Sequence, residues 1–179
     1  LCKRGRVEEA NKLIRKAFRR GLAADRVTYT IFISEHCKRA DINGALVFFT
    51  KMVKVGLQPD IHLYTTLIAA YCRQKKMKES EKLLEFAVRA DLIPTKETYT
   101  SMICGHCRDG NIASAIKYFQ RMGDHGCAPD SITYGALISG LCKDKKLEEA
   151  RRLYDTMMDK GLSPCEVSRF TLAYKYCMK

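Results

Sequence analysis

A period of 35 residues runs through this chain without a gap, and nothing else in it constrains the fold as strongly. All four prolines, Pro59, Pro94, Pro129 and Pro164, keep this step, as do Tyr29, Tyr64, Tyr99 and Tyr134. So do six cysteines, Cys2, Cys37, Cys72, Cys107, Cys142 and Cys177. A period between about 20 and 50 residues marks a solenoid, whose units are too small to bury an apolar face alone and cover it against their neighbours. The length of 179 residues would otherwise favour one or two ordinary domains.

The last full unit shows what is repeated. Tyr134, Leu137, Ile138, Leu141 and Cys142 recur at i, i+3, i+4, i+7 and i+8, which predicts an amphipathic helix from Ser131 to about Lys143. A polar break at Asp144 to Lys146 precedes a second stripe of Leu147, Ala150, Leu153, Tyr154 and Met157. Gly161 can take the left-handed conformation that ends a helix, and Pro164 blocks continuation. Gly56 and Gly126 repeat the stop. Asp91 stands at the same place in the second unit, at a cost of about 1 kcal/mol or less from the left-handed penalty. Each unit therefore reads as a helical hairpin, and the expected fold class is all-α, an α-solenoid of helix-turn-helix repeats. Complete units fall at 26-60, 61-95, 96-130 and 131-165. Residues 1-25 match the end of a first helix plus a second, and 166-179 match a first helix only, so a longer array is expected.

The balance of 32 basic against 20 acidic residues, a net charge of +12, favours a polyanionic partner. No run of 18 apolar residues occurs, so no membrane span is expected. Nine cysteines would signal disulfides in a small secreted chain, but six hold one helical place, where a free thiol packs as a small apolar group. Cys104-Gly105-His106-Cys107 spells a thiol-disulfide motif inside a helical repeat, without the strand context such chemistry uses. Thiol pKa values of about 8.5 or above would remove that reading. His36, His62, His106 and His125 form no ligand-spaced cluster, and His36 and His106 stand where leucine is expected, packed or half-exposed. No cofactor, metal or catalytic residue is expected, and the chain reads as a binding protein.

TYTIFISEHCKRADINGALVFFTKMVKVGLQPD and TYGALISGLCKDKKLEEARRLYDTMMDKGLSP resemble pentatricopeptide repeats of the plain 35-residue class, over the whole chain. The resemblance implies a right-handed superhelix that binds single-stranded RNA in its groove, in a mitochondrion or, as the alternative, a chloroplast, commonly in plants. It implies one base per unit, contacted by the residue after the tyrosine and the residue after the proline. Those pairs are Thr30 with Asp60, Thr65 with Thr95, Thr100 with Asp130, and Gly135 with Cys165. By the same resemblance threonine goes with purines and aspartate with guanine or uracil. A carboxylate only accepts hydrogen bonds, and guanine offers N1–H and an amino group. The expected element is 5′-G-purine-G-N-3′, with Gly135 and Cys165 assigned to no base. The family stacks bases between the residues two before each tyrosine, here Val27, His62, Glu97, Ile132 and Val167. Glu97 departs from that pattern and should weaken its step.

Two rival readings stay open at these places. Aspartate between a proline and a helix is a common N-cap, so Asp60 and Asp130 can serve as caps alone. Beside each repeated cysteine stands a basic residue, Lys3, Lys38, Arg73, Arg108 and Lys143. Such a row suits a phosphate backbone, yet a helix C-terminus favours positive charge for its own sake. Sequence-selective RNA binding in organellar RNA processing, stability, editing or translation is the expected function. The alternative is a structural component of an assembly such as a mitochondrial ribosome, packed on ribosomal RNA or proteins.

Overall fold

The computed structural model describes residues 25–164 as eight α-helices joined by short turns. They are α1 (Arg26–Lys38), α2 (Ile42–Lys54), α3 (Ile61–Arg73), α4 (Met77–Arg89), α5 (Lys96–Asp109), α6 (Ile112–Asp124), α7 (Ser131–Lys143) and α8 (Leu147–Asp159). Each odd-numbered helix folds back on the next even-numbered one, and this makes four hairpins. No strand occurs among the described residues. Expectations for Lys3, Cys165 and Val167 fall outside them.

The hairpins stack through their first helices. Helices α1, α3, α5 and α7 pack side by side as one row, while each second helix touches mainly its own partner and, more lightly, the first helix of the next unit. Small residues let the row close. A β-carbon added at Gly105 would lie 2.8 Å from Cys72 Sγ, and one added at Gly140 would lie 2.8 Å from Cys107 Sγ. Cys72 and Cys107 are thus groups against which the next helix seats, and Cys37, Cys72, Cys107 and Cys142 are all buried.

The predicted stripe of α7 is buried throughout: Tyr134, Leu137, Ile138, Leu141 and Cys142 are all 3 % exposed or less. The second helices bury less. Ala150 and Met157 of α8 are inside, whereas Leu147, Leu153 and Tyr154 are half-covered at the edge of the core. Tyr118, in the stripe of α6 beside the expected Phe119, is itself buried. One apolar cluster runs from α3 to α8 and another from α1 to α3, and Leu83 of α4 packs against both, so the core is continuous along the stack.

Each unit turns through the left-handed region twice. Gly56, Asp91, Gly126 and Gly161 have φ of 81°, 57°, 69° and 70° after the second helices, and Asp91 adopts the strained conformation its position demands. The second place, Ala40, Lys75, Gly110 and Lys145, lies between the helices of each hairpin with φ of 61°, 58°, 82° and 62°. Only one of these four is glycine, so the polar break of the sequence conceals a backbone requirement.

Candidate nucleic-acid interface

The start of each first helix carries the places expected to read bases, and capping organises them. Asp60 Oδ1 accepts from the Leu63 N–H at 2.9 Å. Asp130 Oδ1 accepts from the N–H groups of Ile132 at 3.1 Å and Thr133 at 2.9 Å. Thr95 forms a capping box with Thr98. The capping role is therefore real. It uses one oxygen of each carboxylate, and the other faces a cation. Lys96 Nζ lies 3.3 Å from Asp130 Oδ2, and Arg26 Nη1 lies 3.9 Å from Asp60 Oδ2. Partial burial works against ionisation of Asp130, but the Thr133 backbone and hydroxyl and then Lys96 outweigh it and hold the carboxyl below its ordinary range.

The structure brings members of the expected pairs together across neighbouring units. Thr100 Oγ1 lies 2.8 Å from Thr133 Oγ1, which in turn donates to Asp130 Oδ1 at 2.9 Å. Thr65 Oγ1 lies 2.6 Å from Thr98 Oγ1, and Thr98 Oγ1 lies 3.2 Å from Thr95 Oγ1. Both pairs are thus bridged by a threonine that is fully buried, Thr133 or Thr98. Leucine stands at the equivalent place in the other described pair, Leu63, and Thr30 donates instead to the Arg26 carbonyl at 2.9 Å. The bridging threonines are invisible to a reading that looks only at the base-facing places. They emerge from the 35-residue alignment of positions 28, 63, 98 and 133, occupied by Thr, Leu, Thr and Thr.

Val27 and Ile132 are 62 % and 68 % exposed, although both are large apolar side chains at the start of an otherwise amphipathic helix. His62 and Glu97 are exposed at the same place. The Glu97 backbone N–H and the Thr95 hydroxyl hold the Glu97 carboxyl below its ordinary range, so a negative charge stands at that step. Gly135 has no side chain to present and is buried.

Basic residues share the depressions that these places line. A hollow of about 440 Å³ between α5 and α7 is lined by Arg108, Ile132, Gly135 and Lys143. A smaller one of about 180 Å³ between α3 and α5 is lined by Arg73, Thr100, Ser101, Cys104 and Arg108. Lys38, Arg73, Arg108 and Lys143 are all exposed. The helix-end reading of this row also has a counterpart, because Arg73 Nη2 donates at 3.1 Å to the Cys37 carbonyl in the last turn of α1. Lys38 lies 3.6 Å from Glu35.

The remaining expectations concern chemistry. Burial pushes the Cys107 thiol up to about 12 and raises that of Cys104, so neither has the lowered pKa of a redox thiol. His106 is buried, stacked on Tyr118 with ring centroids 5.2 Å apart, and its Nε2 lies 3.3 Å from Glu81 Oε1. His36 is buried as well, with Nδ1 2.8 Å from Asp41 Oδ2. Both are packed rather than half-exposed. No group of three or more potential metal ligands occurs among the described residues, and no described helix is long and apolar enough to cross a membrane.

The PPR repeat family model matches residues 1–38, 26–65, 59–108, 94–143 and 131–177. The chain belongs to the PPR repeat family. The crystal structure of the pentatricopeptide repeat protein PPR10 from maize is similar over 97 % of this chain and 25 % of that one, with a TM-score of 0.85 and 26 % identity. PPR10 in complex with an 18-nt psaJ RNA element matches over 94 % of this chain and 25 % of that one, with a TM-score of 0.79 at the same 26 % identity. The PPR domain of Arabidopsis thaliana protein-only RNase P 1, solved in complex with tRNA, is similar in fold, with a TM-score of 0.82, 15 % identity and coverage of 98 % of this chain and 93 % of that one. This PPR chain spans about a quarter of the length of PPR10. A search of curated protein sequences gives no match.

Proposed function

We propose that this PPR array binds single-stranded RNA along the row of first helices, one base per unit, with 5′-G-purine-G-N-3′ as its preferred element. The carrying observation is that Arg73, Thr100 and Arg108 line one hollow and Arg108, Ile132, Gly135 and Lys143 the next. Cations for a phosphate backbone and places for bases thus alternate along one wall, the arrangement single-strand binding needs. The RNA complex of PPR10, 26 % identical and of the same fold, supports the reading. Asp60 and Asp130 each keep an oxygen beyond the cap to accept from guanine, while the pair Thr65 and Thr95 offers hydroxyls without a carboxylate. The array acts by occupying its site, shielding RNA or presenting it to a separate enzyme, and supplies no catalytic group of its own. Its setting is an organelle, with the mitochondrion ahead of the chloroplast on family resemblance, and fractionation of cells expressing the full-length protein tests that assignment.

Competition binding tests the element. RNA carrying 5′-GAGN-3′ or 5′-GGGN-3′ should outcompete shuffled and pyrimidine-rich oligonucleotides, and a preference for the latter would refute the assignment. Three or four phosphate contacts should give a log-log salt slope of about −2 to −3, at roughly 0.7 for each single-strand contact. Arg108→Gln should reduce that slope by about 0.7 and weaken all sequences alike.

A further inference from the structure

A threonine hydroxyl has one proton, and in the third complete unit the geometry shows where each proton goes. Thr133 Oγ1 donates to Asp130 Oδ1 at 2.9 Å, an acceptor that has no proton to return. The 2.8 Å contact between Thr100 and Thr133 can then have only one polarity, with Thr100 as donor. Thr100 is left to face the hollow between α3 and α5 with lone pairs alone. The lower half of this chain recurs at Asp25, whose Oδ1 accepts from Thr28 Oγ1 at 2.6 Å.

The second unit has the same links with the opposite freedom. Thr98 Oγ1 accepts from the Thr95 N–H at 3.1 Å and faces the hydroxyls of Thr65 and Thr95, either of which can donate or accept. Thr98 can therefore give its proton to Thr65 and release the Thr65 proton toward the groove. In the first unit Leu63 has no hydroxyl, and Thr30 gives its proton to the Arg26 carbonyl, out of communication with Asp60.

We propose that Thr133 and Thr98 are positioning residues for base recognition, relaying the identity of the residue after the proline, Asp130 or Thr95, into the hydrogen-bond polarity of Thr100 or Thr65. With aspartate at the end of the relay, both base-facing groups are acceptors, which fits the two adjacent donors of guanine and rejects the N1 acceptor of adenine. With threonine there, the polarity is free and adenine and guanine are both accommodated. The relay rests on the base-reading function proposed above and adds to it a buried residue that touches no base.

The test uses the 179-residue chain and a set of single-stranded RNA oligonucleotides that vary only the third nucleotide of the element. The parent should prefer guanine to adenine there. Thr133→Val keeps the side-chain shape and removes the relay, and should lower that preference about five- to tenfold, the worth of one hydrogen bond, with the preference at the first nucleotide unchanged. Thr133→Ser should restore it. Leu63→Thr installs the missing link and should raise guanine-over-adenine discrimination at the first nucleotide, which decides the matter even if Thr133→Val folds poorly. A parent with no preference at the third nucleotide would overturn base reading itself. A parent that discriminates, with Thr133→Val and Leu63→Thr both leaving the ratios unchanged, would overturn the relay alone.

Discussion

The second and third hairpins, residues 61–95 and 96–130, follow the same path with different means. Where α3 turns into α4 the chain uses Lys75 at φ 58°, and where α5 turns into α6 it uses Gly110 at φ 82°. At the ends of α4 and α6 the pair is Asp91 against Gly126. At the inter-helix seat Ala70 in one is matched by Gly105 in the other, and at the neighbouring buried place Tyr71 is matched by His106. A non-glycine residue in the left-handed region costs about 1 kcal/mol, and the second hairpin bears that cost twice. The comparison teaches that burial of the first-helix stripe against the neighbouring units dictates the backbone, and that local preference at the turns yields to it.

The strongest way to break this equivalence is at the seat. Gly105→Leu would place a side chain where even a β-carbon meets Cys72, and should lower stability by about 1–3 kcal/mol, read as a fall in the thermal midpoint. An unchanged midpoint would mean that α3 and α5 are free to move apart. A smaller effect of opposite sign sharpens the comparison at the turns. Lys75→Gly and Asp91→Gly should each stabilise by about 1 kcal/mol, and chemical denaturation of the double variant should show the two gains adding, since they lie at opposite ends of α4. The same substitution at an exposed helix interior such as Lys82 should destabilise by a similar amount.

The smallest effect expected is the pH response of the third hairpin. Burial, partly offset by Glu81, holds His106 below the ordinary imidazole value near 6.5. The unfolded chain therefore takes up a proton before the folded one, and stability should decline as pH falls from about 7 through 6.5 toward 5. His106→Leu, the residue that Leu141 supplies one unit later, should flatten that slope in denaturation curves measured across the window. A slope that persists undiminished would place the proton elsewhere.

Much of the fold was legible because the 35-residue step registers Tyr, Cys and Pro together, and the apolar spacing within each step is helical. The α7 stripe and the left-handed strain at Asp91 follow directly from that pattern. Less was visible where several side-chain types satisfy one requirement. Ala40, Lys75 and Lys145 disguise a left-handed turn because none is glycine, and Tyr118 was hidden beside Phe119 because both fall on the inner half of α6. At the site, the family resemblance singled out Thr100 and Asp130 as a pair, and the folded chain adds that Thr133 stands between them.

By itself the sequence determined the repeat length and the helical hairpin, because these depend on spacing along the chain. Tertiary structure alone decided how a cap and a cation share the carboxylates of Asp60 and Asp130, why Cys107 is a packing group, and which threonines meet across neighbouring units. Those outcomes depend on contacts between residues about 33 to 35 positions apart, where one unit supplies the proton, carbonyl or seat that the next unit lacks.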